Sequence, residues 1–309
     1  MNFYLPLTIS YKELRRIYKF WEKSGDPRNA FAYVIVSPLF APQATLEYIK
    51  QLRDAGKIKI LMFDSGGYQV QTGKIQFEDL LLHLRDLYHK HRWADFYVLP
   101  DYPLTSGDTD VELKVQKTIK AVESFVHVVP KEKAIAVIHG HTEEQIAYCL
   151  ELYIKLGIQY VGFGSFGTSG RNKGVNLLSR RSLELLKYAY LLAKKHNLKF
   201  HIFGIGAPSY LKQFLEQSII PTSFDSAGWM KAGAFHQVYA SFNRIRFSNL
   251  KEETLSKIKE QLNGHVCPFC QDLRELYWSR TARIMHNLAF MLDCVEYIKD
   301  LTKIKNGLY

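Results

Sequence analysis

Residues 134–164 read AIAVIHGHTEEQIAYCLELYIKLGIQYVGFG, and they contain the unit from which most of the chain is assembled. Ala134–Ile138 is apolar throughout, a polar turn follows at 139–142, residues 143–156 have helical character, and Tyr160–Gly164 is apolar again. A strand covered by helices on both sheet faces shows no alternation of apolar and polar residues, so runs of this kind point to a parallel sheet. The same order recurs on either side. Further strands are expected over 31–37, 58–63, 95–99, 200–204 and 220–224, and helices over 45–54, 77–91, 111–125, 181–196 and 209–216. In one of these helices Leu80, Leu81, Leu84 and Leu87 recur at the spacing of a single face. Strands alternating with helices imply a parallel α/β architecture. An eighth strand at 244–247 would close it into a (β/α)8 barrel of the TIM type; an open, doubly wound sheet is the other arrangement with this order.

Residues 1–250 are assigned to the barrel. Beyond them come a charged helix at 251–262, the segment Gly264-His-Val-Cys-Pro-Phe-Cys270 and a long helix from about 272 to 304. Residues 251–309 are therefore expected to form a small metal-binding appendage with a terminal helix packed on the barrel.

The 309 residues suffice for a sizeable core, and 47% hydrophobic with 23% charged residues is ordinary for a globular protein. No apolar run approaches the roughly 20 residues needed to span a bilayer. The opening MNFYLPLTISYKELRR has no basic stretch leading into an apolar one, so no secretory leader is expected. A cytoplasmic location follows, or the host cytoplasm for a viral protein, with no membrane partner. Four cysteines, at 149, 267, 270 and 294, do not suggest a disulfide framework in that setting. The net charge of +11 favours a polyanionic partner, because a positive field draws nucleic acid to the surface.

In a barrel of this type, functional side chains stand at the C-terminal strand ends, where the following loops build one face. Those ends carry Asp64, Asp101, His139, Ser165, Gly206 and Asp225. A single aspartate there often does no more than cap the next helix. Three on one rim, beside glycine-rich turns, read better as a shared cleft. Asp64-Ser-Gly-Gly-Tyr-Gln69 puts two glycines after the carboxylate, so backbone and ligand can approach closely. Gly162-Phe-Gly-Ser-Phe-Gly167 and Gly204-Ile-Gly-Ala-Pro208 are similar turns, and Tyr68, Phe166 and Phe203 offer aromatic faces to a flat ligand.

Cys267-Pro-Phe-Cys270 is a two-cysteine knuckle with His265 just upstream and His286 downstream. Zinc in a structural site takes four nitrogen or sulfur ligands and leaves no position for water. His265, Cys267, Cys270 and His286 supply that number; free buried thiols beside two surface histidines are the plainer alternative. Cys149 and Cys294 lie in apolar helical patterns and are expected in the core.

With these residues in place, the chain resembles the tRNA-guanine transglycosylase superfamily over about residues 31–292. The resemblance rests on the Asp64-Ser-Gly-Gly-Tyr-Gln69 signature, on Phe224-Asp225 at the nucleophile strand, and on His286-Asn287-Leu288 closing the zinc module. Gly164-Ser165-Phe166 stands at the family's Gly-Gly-Leu turn, and Gly204-Ile-Gly-Ala-Pro208 at its Gly-x-Gly-x-Pro turn. It implies a pentosyltransferase that exchanges guanine for a 7-deazaguanine base. Asp225 would attack C1′ of the sugar to form a covalent ester, the strategy of retaining glycosidases applied to an N-glycosidic bond. Asp64 would be the general acid and base. Asp101, His139, Gly164, Ser165 and Phe166 would read the base edge, with Tyr68 and Phe203 on its faces. Zinc would be structural.

The sequence also departs from the family. Ile138-His139-Gly140 replaces a Val-Gln-Gly turn, His265 stands for the first zinc cysteine, and Ser226-Ala-Gly-Trp-Met230 replaces a Pro-Thr-Arg segment that contacts tRNA. With no further RNA-binding domain expected either, the chain looks most like the paralogues that insert 7-deazaguanines into DNA, with tRNA the alternative polymer. Arg171, Lys173, Arg180, Arg181 and Lys231 are candidate phosphate contacts or solvated helix faces. A homodimer and helper modification proteins are further expected partners. Two rival readings remain at this stage: a metal-dependent barrel hydrolase using His139-Gly-His141, and a noncatalytic nucleic-acid-binding paralogue.

Overall fold

A computed structural model describes residues 1–105, 107–164, 179–262 and 264–305. Eight parallel strands close on themselves: β1 (Asn2–Pro6), β2 (Tyr33–Val36), β3 (Ile60–Phe63), β4 (Phe96–Val98), β5 (Ala134–Ile138), β6 (Tyr160–Gly164), β7 (Lys199–Phe203) and β8 (Ser223–Asp225). Each pairs with its neighbours in sequence, and β8 returns to β1. Around them run α1 (Tyr11–Ser24), α2 (Gln43–Asp54), α3 (Gly67–Gln71), α4 (Phe77–Lys90), α5 (Val111–Phe125), α6 (Glu143–Lys155), α7 (Arg180–Lys195) and α8 (Pro208–Glu216). The architecture is the α/β barrel of the TIM type, and the open-sheet alternative is excluded by closure.

The closing strand differs from the expected one. Asn2, Phe3 and Tyr4 register against Ser223, Phe224 and Asp225, so the barrel is completed by β1 at the N-terminus. Residues 244–247 instead contribute to an antiparallel hairpin of β9 (Gln237–Ala240) and β10 (Asn243–Arg246), outside the barrel. The physical reason is burial on both faces, which a barrel strand must accept. Phe3, Tyr4 and Leu5 are buried, whereas Asn243, Arg244 and Arg246 are exposed. The helix α1 was likewise not among the expected elements. It starts at Ser10, whose hydroxyl accepts from the Glu13 N–H at 3.3 Å, stops at Gly25 in the left-handed region (φ 69°), and buries Leu14, Ile17, Tyr18 and Trp21.

Strand side chains alternate between two environments. Tyr4, Ile35, Met62, Val98, Ile135, Val137 and Tyr160 pack together in the lumen. Their neighbours Phe3, Leu5, Val34, Leu61 and Phe63 join the larger core between barrel and helices. Cys149 and Cys294 are both buried, as expected.

After β8 come α9 (Gly228–Ala234), the hairpin, α10 (Glu252–Leu262), α11 (Leu273–Trp278) and α12 (Arg280–Lys305). The single helix expected over 272–304 is thus two. Ser279 is extended (φ −88°, ψ 106°), and its hydroxyl accepts from the Ala282 N–H at 3.1 Å to start α12. The buried Arg283 guanidinium donates to the Leu276 and Tyr277 carbonyls that end α11, and to the Gly233 carbonyl. The long α12 packs on α9, β9, α8, α1 and β1, which ties the C-terminal elements to the barrel wall. Among the described residues no helix is long and apolar enough to cross a membrane.

Candidate functional site

All eight strands run the same way, so their C-terminal ends share one mouth. A cavity of about 160 Å³ opens there. Its lining draws Asp64 from the end of β3, Asp101 from β4, Phe203 and Gly204 from β7 and Asp225 from β8, with Tyr68 on α3. Gly164, at the tip of β6, lines it as well. Three carboxylates and two aromatic rings expected on one rim therefore do meet in one cavity. Ser165 and Phe166, with Arg171 and Lys173, lie outside the described residues.

The loop after β3 is shaped by its glycines. Gly66 sits in the left-handed region (φ 83°), and a Cβ there would meet the Phe40 ring at 2.5 Å. A Cβ on Gly67 would meet Asp101 Oδ1 at 2.7 Å. Only a bare backbone lets this turn close down on Asp101. Within it, the Asp64 carboxylate accepts from the Gly66 N–H at 3.2 Å. Burial pushes the Asp64 carboxyl up to about 7, with repulsion from Asp101 and then Asp225 adding to it. A carboxyl held there can both donate and accept a proton near neutral pH.

Asp101 is buried and braced from two sides. Ser65 donates to its Oδ1 at 2.9 Å, and His139 Nε2 lies 2.8 Å from its Oδ2. His139 does not line the pocket; it stands behind Asp101, and any influence on a ligand passes through that carboxylate. Ser65 was not a candidate from sequence, although its place inside the Asp64-to-Gln69 signature marks it. Asp225 accepts from the Gly204 N–H at 3.1 Å, and His201 Nε2 lies 3.3 Å away, both at Oδ1. His201 was also missed, since it lies inside a run read as a buried strand.

The second site lies in the C-terminal elements. One ligand atom from each of His265, Cys267, Cys270 and His286 falls within 4.8 Å of the others. The donor set fits a metal ion. His286 Nε2 donates to the Tyr239 carbonyl at 3.0 Å, which leaves Nδ1 as the lone-pair nitrogen, 3.5 Å from Cys267 Sγ. His265 Nδ1 donates to Asp293 at 2.8 Å, and its buried Nε2 has no hydrogen-bond partner among the described residues. Each ring thus has its outer nitrogen engaged and its inner one available, as metal-bound histidines do. The hydrogen bond from Cys267, and after it the His286 ring, hold the Cys270 thiol well below its ordinary value. Arg28 grips Asp293 through Nε at 2.6 Å and reaches the Val266 carbonyl at 2.9 Å, so the loop before β2 is tied to this cluster. Among the described residues, His139 and His141 join no such group with the rim aspartates, so the expectation of a hydrolase metal there gains no ligand set.

The segment 226–230 is packed inward. Trp229 is fully buried, the Ser226 hydroxyl accepts from the Gly228 N–H at 2.9 Å, and a Cβ on Gly228 would collide with the Gly206 carbonyl. Of the remaining candidate phosphate contacts, Arg180 and Arg181 are exposed and pair with Glu184, while Lys231 is exposed on α9. Comparison of the sequence with models of known protein families and with curated proteins finds no match to either.

Proposed function

We propose that the chain is a polynucleotide base-exchange enzyme that replaces guanine by a 7-deazaguanine base through a covalent aspartyl–sugar intermediate, with DNA as the polymer. The observation that carries this reading is the convergence of Asp64, Asp101 and Asp225, from three different strand ends, on one pocket with Tyr68 and Phe203.

The chemistry assigned to each group follows from its surroundings. Asp225 attacks C1′; the C–O bond forms as the C1′–N bond breaks, and the electron pair leaves on the purine. Asp64, with its carboxyl near 7, gives the departing purine a proton and takes one from the incoming base, so the enzyme returns to its starting protonation state. Asp101, held by Ser65 and His139, accepts from the N–H groups of the base edge. Tyr68 and Phe203 offer their faces to the ring. The target base leaves its stack to enter, at a cost of a few kcal/mol. Zinc is the metal that best suits two thiolates and two imidazoles, and in a site with all four positions filled by protein its role is to hold the fold. The inward packing of 226–230 supports DNA, because that segment presents no basic side chain before Lys231.

The test is label exchange. Radiolabelled guanine or a 7-deazaguanine is incubated with the protein and, separately, duplex DNA, single-stranded DNA and bulk tRNA. Label in DNA alone is the expected result, and label in tRNA alone overturns the choice of polymer. Asp225→Ala should abolish covalent trapping on the polymer; normal exchange by that variant ends the nucleophile assignment.

A further inference from the structure

Beneath Asp225 the barrel lumen holds a linked set of polar side chains. His201 on β7 is fully buried and faces inward, its ring against Tyr4 (centroids 5.9 Å apart) and Phe203 (4.3 Å). Its Nε2 lies 3.3 Å from Asp225 Oδ1 and its Nδ1 2.5 Å from Ser223 Oγ. Ser223 Oγ is in turn 2.5 Å from the Tyr160 hydroxyl. Strands β2 to β5 contribute Ile35, Met62, Val98, Ile135 and Val137 to the same lumen. The hydrogen-bonded groups Tyr160, His201 and Ser223 come from β6, β7 and β8, and they lead to one carboxylate.

For a neutral His201 ring, donor counting fixes the direction of the chain. A carboxylate oxygen only accepts, so His201 Nε2 carries a hydrogen. Nδ1 of a neutral ring then accepts, which obliges Ser223 to donate to it and to accept from Tyr160. Burial pushes the Tyr160 phenol up to about 12, so this hydroxyl keeps its proton at neutral pH. The opposite tautomer would set a ring lone pair against a carboxylate lone pair in a buried site, which is costly.

We propose that Tyr160, Ser223 and His201 form a positioning relay that fixes the neutral Nε2–H tautomer of His201, so that this group and the Gly204 N–H hold Asp225 Oδ1 while Oδ2 attacks the sugar carbon. The proposal rests on the base-exchange reading for its chemistry. When the Oδ2–C1′ bond forms, Oδ1 becomes the ester carbonyl oxygen and still accepts from both donors. When the ester opens, the same donors receive the returning carboxylate. No proton moves along the relay; its contribution is orientation, which a displacement of about 1 Å can cost about 100-fold in rate.

Two readouts test it, one of them independent of turnover. In the full chain labelled with ¹⁵N-histidine, the His201 ring, identified by its loss in His201→Gln, should give the signature of a neutral Nε2–H tautomer at neutral pH. An imidazolium or an Nδ1–H tautomer overturns the relay. In the label-exchange and trapping assays, Ser223→Ala and Tyr160→Phe should lower kcat by roughly 10- to 100-fold with KM for guanine unchanged. His201→Gln, which keeps one N–H donor, should retain more activity than His201→Phe. Wild-type kcat in Ser223→Ala overturns the relay and leaves the base-exchange reading standing. A wild-type chain that exchanges label into neither polymer overturns the base-exchange reading, while the tautomer measurement still decides the relay.

Discussion

Asp64 is the side chain in which the proposed function and stability pull apart. Its carboxyl titrates at about 7 in the folded chain against an ordinary 3.8, because burial and the neighbouring carboxylates disfavour the charge. Between those two values the folded state holds more protons than the unfolded one, so stability falls as pH rises from about 4 to about 7. Above that window the cost is complete, on the order of 4 kcal/mol for this group alone. Asp64→Asn should therefore melt at a higher temperature than wild type near pH 8, with the difference shrinking towards pH 4. Melting curves recorded across that range check the prediction, and a difference independent of pH would refute it. The three rim aspartates were legible in the sequence because each follows an apolar run at an expected strand end. His201, Ser223 and Tyr160 were not, because they sit within or at the edge of such runs. Only the inward or outward direction of each side chain separates a lumen group from a core group.

Elements show the same division. Helices α4 to α8 fall close to their expected bounds, since amphipathic periodicity is a local property. The loop between α1 and β2 gave no signal, yet Arg28 in that loop joins α1, whose Trp21 indole N–H donates to its carbonyl, to the 264–270 segment and α12. It bonds Asp26, Asp293 and the Val266 carbonyl, and Asp293 orients the His265 ring. The pair is partly exposed, so Arg28→Ala should cost about 1–3 kcal/mol, less than a fully buried pair would. The second expected effect is specific to the metal site. With Asp293 released, His265 loses its orienting partner, and zinc should be lost to a chelator faster than from wild type. A metal-release time course checks this, and unchanged release would mean that the arginine braces the fold without serving the ligands.

At the scale of the whole molecule, the metal cluster and the barrel are expected to behave as one unit. The α12 helix carries His286 on one side of the cluster and packs on β1, α1, α8 and α9. Removing a bound ion should therefore lower the single melting transition of the whole chain. Calorimetry of the zinc-loaded and chelated protein distinguishes the outcomes. A separate low-temperature transition, with the main one unmoved, would show that the C-terminal elements unfold alone.

The sequence by itself determined the alternation of strands and helices from β2 to β8, the parallel α/β class, the three rim carboxylates and the four candidate metal ligands. All of these depend on local periodicity, on turn residues or on short spacings. Closure by β1, the place of His139 behind Asp101 and the chain from Tyr160 to Asp225 were decided by the tertiary structure. Each joins residues far apart in sequence, from Asp101 with His139 to Tyr4 with Asp225. Strand pairing and lumen packing create those neighbours, and no local pattern records them. The barrel brings them together because its strands are parallel and closed, so that every strand's C-terminal end, and the inward side chains beneath it, face a common axis.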